Sequence, residues 1–107
     1  METVILGLAN CDTCRKARKA LPGARFRDIR AEPLSDAERT AFLDKFGEKL
    51  VNRASTTWRS LTEDERRNPP QSLLAAHPAL MKRPVILMGD MMLLGWTPDV
   101  RRALAVD

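Results

Sequence analysis

A short apolar run set directly against a basic helix, with both cysteines at the junction, constrains this chain most. Thr3-Val4-Ile5-Leu6-Gly7-Leu8 is β-branched and apolar, the pattern of a buried strand. After Ala9-Asn10-Cys11-Asp12-Thr13-Cys14-Arg15-Lys16, the residues Ala17, Ala20 and Leu21 recur at helical spacing. The cysteines therefore sit at a strand-to-helix turn. With Cys11 at the helix start, Cys14 lies one turn on along the same face, and Cα atoms so placed are about 5 Å apart. That separation permits a disulfide.

Cys11 is expected to be the more reactive sulfur. The unpaired N–H groups and positive dipole end of the helix favour its thiolate, as do the cations Arg15, Lys16, Arg18 and Lys19. The helix terminus is expected to dominate, because long basic side chains in solvent are screened; Asp12 opposes both. Three uses of the pair stay open on this pattern. It could be half of a zinc site, but that needs four ligands and the chain has no third cysteine and a single histidine, His77. It could be two inert buried thiols. Redox or nucleophilic use fits best, because CxxC opening a helix in a βαβ-like pattern is a redox signal.

A chain of 107 residues suits one domain with one core, so 1–107 is expected to be a single domain. No stretch approaches the roughly 20 apolar residues of a membrane span, and Glu2 replaces a basic leader, which points to the cytoplasm and away from membranes. There the thiols should rest reduced, and any disulfide should be transient. The net charge of +4 is uneven: residues 1–30 carry +4, residues 31–80 carry −1, and residues 81–107 carry +1. An excess around the cysteine turn suits a small anionic substrate or an acidic partner, although a solvated helix face reads the same way. Direct nucleic-acid binding is not expected, since three Phe, two Trp and no Tyr offer little to stack on bases.

Further along, Pro22-Gly23 ends the first helix and Ala24-Arg25-Phe26-Arg27-Asp28-Ile29 alternates like a half-buried strand. Ser35-Asp36-Ala37-Glu38 is a capping box for a second helix whose stripe is Ala41, Phe42, Leu43 and Phe46, ending at Gly47. Between Leu50 and Leu80 only short helices are signalled. A capping box opens at Thr62, Asn68-Pro69-Pro70 is a breaker, and a brief helix runs from Ser72 to Ala76. His77, ahead of a proline, reads as structural rather than as a general base. Pro84-Val85-Ile86-Leu87-Met88 and Met91-Met92-Leu93-Leu94 then flank a Gly89-Asp90 turn. Thr97-Pro98-Asp99 starts a closing helix with Val100, Ala103 and Leu104 inward.

The order predicts an α/β, thioredoxin-like fold (βαβ…ββα) with a helical insertion, about residues 33–80, between the second and third strands. In that architecture the proline heading the third strand, here Pro84, is expected to be cis and to face the cysteine turn.

The chain resembles the arsenate reductase (ArsC)/Spx family over nearly its whole length. The match is carried by Asn10-Cys11-Asp12-Thr13-Cys14-Arg15-Lys16-Ala17, by Asn52-Arg53 with Thr56-Thr57-Trp58-Arg59, and by Lys82-Arg83-Pro84 with the hairpin ending in Gly95. It is most similar to the ArsC-like thiol reductase branch. The resemblance implies that Cys11 is the catalytic nucleophile and Cys14 the resolving thiol. It also implies that Asn10, Thr13, Arg53, Arg83 and Pro84 bind an anionic or disulfide substrate, and that no cofactor or metal is bound. Glutathione is the implied co-substrate, or a glutaredoxin- or thioredoxin-type protein the donor. Arsenate reductases of this type hold the oxyanion with three arginines, two of which match Arg53 and Arg83. The third falls near Gly95, where Leu94-Gly95-Trp96 offers no cation. A charge-assisted hydrogen bond contributes about 1.5–3 kcal/mol, so oxyanion binding should be roughly ten- to two-hundredfold weaker, which argues against arsenate as substrate. The alternative within the family is an Spx-like adaptor that uses the CxxC disulfide as a redox switch while contacting RNA polymerase.

Overall fold

The apolar alternation of the outer segments produces a four-stranded sheet. The computed structural model describes residues 2–106, and the chain divides into two compact units, residues 1–29 with 83–107, and residues 30–82. In the first, β1 (Thr3–Gly7), α1 (Asp12–Ala20) and β2 (Arg25–Asp28) form the parallel opening. The second unit holds α2 (Asp36–Phe46), α3 (Thr56–Ser60), α4 (Glu63–Arg66) and α5 (Pro70–Ala76), with 3-10 turns at Gly47–Leu50 and Pro78–Leu80. Then β3 (Val85–Met88), β4 (Met91–Leu94) and α6 (Pro98–Ala103) complete the first.

The sheet order is β2-β1-β3-β4, with β1 parallel to β2 and antiparallel to β3, and β3 antiparallel to β4. The register pairs Ile5 with Phe26 and with Ile86, and Ile86 with Leu93. One apolar row therefore crosses all four strands on a single face. Ala17 of α1, and Val100 with Leu104 at the closing helix, pack against that row, so the amphipathic face of each helix finds the apolar face of the sheet. This is the expected thioredoxin-like arrangement.

In the second unit the capping boxes at Ser35 and Thr62 both form, each side chain accepting from the backbone N–H three residues on. Helices α2 and α5 are tied by Arg39 donating to Gln71 and by Gln71 donating to Thr40 Oγ1 at 2.9 Å. Phe42, Leu73 and Leu74 are buried. No strand occurs in residues 30–82, but Val51 and Met81 form an isolated antiparallel bridge that local patterning does not reveal. The fifth helix starts at Pro70 rather than Ser72. The double proline stops α4 and then supplies the first residue of α5, a position where the missing N–H is harmless. Strand β3 begins at Val85 rather than at Pro84, which lacks a ladder donor. Among the described residues no helix is long and apolar enough to cross a membrane.

Candidate active site at the start of the first helix

The end of β1 delivers the chain into a tight turn. The Cys11 N–H donates to the Leu8 carbonyl at 3.2 Å, and the Asp28 carboxylate accepts from the Ala9 N–H at 3.1 Å, pinning the loop to the end of β2. Cys11 is the N-cap of α1 in extended conformation, its carbonyl accepting from the Arg15 N–H at 3.0 Å. Cys14, in the first turn of the helix, is wholly buried, whereas Cys11 is partly exposed; both are free thiols.

The two sulfurs have opposite acid–base character. Partial burial pushes the Cys11 thiol up, but this is outweighed and its pKa lies below the ordinary cysteine value. The Cys14 backbone amide, the Cys14 thiol and Arg83 all donate toward its sulfur, and the Arg83 charge adds to the effect. The amide contact is loose, short of a full capping hydrogen bond, yet the helix start still contributes the largest stabilising influence. The basic side chains of α1 matter less than Arg83, as screening dictates: Arg15 is exposed and engaged with Asp12 at 2.9 Å. Cys14 is pushed up to about 12, mainly by burial and further by the neighbouring Cys11 thiolate, against weaker pulls from the Leu8 amide and Arg83. Chemically the pair is one accessible, stabilised thiolate backed by one protonated thiol in contact with it.

Arg83 precedes a cis peptide bond to Pro84, at the position where the fold was expected to place one. The Pro84 carbonyl accepts from the Gly95 N–H at 2.8 Å. Gly95 is buried with φ of 84°, a left-handed conformation suited to glycine, so the end of the hairpin meets Pro84 as backbone and brings no cation.

Cys11, Cys14 and Arg83 thus come together in the first unit, with Pro84 adjoining Arg83. Asn10 and Thr13 flank Cys11 in sequence and are exposed, Asn10 in the turn and Thr13 in the first turn of α1. Arg53 belongs to the second unit. There it lies 4.0 Å from Glu48 and 5.3 Å from the centre of the Trp58 ring, which Arg66 also approaches at 5.5 Å. His77 pairs with Glu65 at 3.7 Å within the same unit.

Two contributors escaped the sequence reading. Leu8 supplies an amide to the Cys14 sulfur. Gly7 is required by contact, since a Cβ there would stand 2.3 Å from Cys14 Sγ. A glycine inside an otherwise β-branched strand was the available signal.

A model of the ArsC family matches residues 6–104. An uncharacterized protein of Haemophilus influenzae is 37% identical over 101 residues, which cover 86% of this chain and 89% of that one. Two solved structures are also similar. A protein designated YffB is 31% identical with a TM-score of 0.86, over 94% of this chain and 96% of that one. An arsenate reductase (ArsC)-related protein from Brucella melitensis is 36% identical with a TM-score of 0.75, over 96% and 93%.

Proposed function

Since the chain belongs to the ArsC family, we propose that it is a thiol-disulfide reductase in which Cys11 attacks and Cys14 resolves, with glutathione as reductant in a reducing compartment such as the cytoplasm. The observation that carries this reading is the opposite displacement of the two thiols: Cys11 is held toward thiolate while Cys14, in contact with it, is held protonated at about 12. In the first step the Cys11 thiolate attacks a substrate disulfide, forming a mixed disulfide and expelling one substrate thiolate. In the second, Cys14 loses its proton and attacks the Cys11 sulfur, releasing the other substrate thiol and leaving a Cys11–Cys14 disulfide. Two glutathione molecules then return both thiols and leave as glutathione disulfide.

Arg83 serves the first step by favouring the attacking thiolate, and by attracting anionic groups such as a glutathione carboxylate to the sulfur. Because buried Cys14 must lose its proton before it can resolve, external glutathione competes with internal resolution at neutral pH. The missing cation near Gly95 argues for disulfides over arsenate. Contact between the sulfurs also favours a second reading, a redox-switched adaptor whose Cys11–Cys14 disulfide governs binding to RNA polymerase.

A turnover assay with glutathione and a low-molecular-weight mixed disulfide separates the two. Repeated reduction that is lost in Cys11→Ser supports the reductase. Absence of turnover, with recovery of RNA polymerase by the oxidised protein alone, supports the adaptor.

A further inference from the structure

We propose that the face of α1 leading away from Cys11 is a docking surface for an acidic segment of a protein partner, one whose acidic residues lie three or four positions from the cysteine that exchanges with Cys11. This rests on the reading of Cys11 as the attacking thiol.

Beside α1 and β2 lies an open depression of about 490 Å³ lined by Arg15, Arg18 and Lys19 over an apolar floor that includes Leu21, Pro22 and Phe26. The Arg18 guanidinium sits 4.1 Å from the centre of the Phe26 ring, a cation–π contact that holds the charge in place before anything binds. Arg15 is paired with Asp12, but among the described residues no carboxylate partners Arg18 or Lys19. On a helix, Arg15 and Arg18 fall four and seven residues beyond Cys11, on the same side, and Lys19 borders them. The stripe therefore begins at Arg15, one turn beyond the Cys11 N-cap, and runs to Arg18, about 10 Å from Cys11 along the axis at 1.5 Å per residue.

That length decides the occupant. An extended chain covers about 3.3 Å per residue, so side chains three or four residues from an attacked cysteine reach Arg18 and Lys19. The carboxylates of glutathione lie only one residue from its sulfur and fall short. An open, shallow, basic surface with a partly apolar floor suits carboxylates on a polypeptide, which it would gather by electrostatic steering.

The test uses two hexapeptides, each with cysteine first, one carrying glutamate and the other serine at positions four and five. Each is linked through its cysteine to a nitrothiobenzoate. Attack by Cys11 forms the Cys11–peptide bond, breaks the bond to the chromophore and releases the electron pair on the coloured thiolate, so no other reagent is needed. At low ionic strength the glutamate peptide should react roughly tenfold faster, with the advantage fading as salt rises. Arg18→Glu with Lys19→Glu should abolish the preference, read as the ratio of the two peptides' rates so that any effect common to both cancels. Arg18→Gln with Lys19→Gln should reduce it without placing an acid on Phe26.

A preference that persists in both double variants, or none in the wild type, overturns the proposal. Failure of the Cys11 reading would look different, with no colour from either peptide. Docking is then read by the anisotropy of a dye-labelled glutamate peptide lacking cysteine, which should bind the Cys11→Ser protein and release on adding the Gln pair. Binding of a single-stranded oligonucleotide but not of that peptide would assign the surface to nucleic acid and reject the proposal.

Discussion

The chemistry divides at two sulfur atoms. Burial raises both thiols, but the compensating donors prevail only at Cys11, where the helix start, the Cys14 thiol and Arg83 act together; at Cys14 the Leu8 amide and Arg83 are outweighed. Alkylation by iodoacetamide, followed against pH and read by peptide mass, should therefore show Cys11 reacting with a midpoint below that of a free cysteine, about 8.5, and reaching a plateau above it. Cys14 should stay unmodified through the same range, because it is both buried and protonated. A Cys11 midpoint at or above the free value would contradict the thiolate assignment. Gly7 is the second residue whose identity is dictated by contact. In Gly7→Ala the new Cβ must displace the buried Cys14 sulfur, which should lower stability by roughly 1–3 kcal/mol, measured by urea unfolding. Unchanged stability would mean that Cys14 moves freely, which its burial argues against.

At the scale of elements, the start of β3 positions the cation that the start of α1 uses. Arg83→Ala should raise the Cys11 midpoint and slow its alkylation severalfold at pH 7, and Arg83→Lys should recover part of the loss by charge alone. An unaltered midpoint in Arg83→Ala would leave the helix start and the Cys14 thiol as the causes. Helix α2 depends on its cap instead. Ser35→Ala removes the acceptor for the Glu38 N–H at 3.1 Å and should cost about 1 kcal/mol in unfolding free energy. These two cases explain what could be read from the chain beforehand. Ser35, Thr62 and Thr97 are local signals whose partners lie three residues away, so the helix starts were legible. The approach of Arg83 to Cys11 joins segments by way of the pairing of β1 with β3, and that of Gly7 to Cys14 by way of the turn between β1 and α1. No local period encodes such contacts; the first was available through resemblance, and for the second the lone glycine in a β-branched strand was a signal that did not name its partner.

At the scale of the whole molecule, the ArsC family and its thioredoxin-like fold set a frame in which folding and thiol ionisation are linked. Cys14 is raised in the folded chain, so its contribution to stability is fully present below the unfolded value near 8.5. It is lost as pH climbs toward about 12, where the unfolded chain ionises first. Wild type should therefore lose stability more steeply than Cys14→Ala between about pH 9 and pH 12, in parallel urea titrations; equal slopes would place Cys14 in a wetter site than its burial indicates. Cys11 runs the other way, its contribution being lost as pH falls through its depressed folded value.

The central claim is that attack begins at Cys11 and ends at Cys14, and one measurement addresses it directly. Reduced wild type, Cys14→Ser and Cys11→Ser proteins are incubated with glutathione disulfide, quenched with acid and resolved by mass spectrometry. Cys14→Ser should carry one stable glutathione on Cys11, wild type should pass on to the Cys11–Cys14 disulfide, and Cys11→Ser should remain unmodified. Equal glutathione loading on Cys14 in the Cys11→Ser protein would instead show two equivalent thiols and contradict the account.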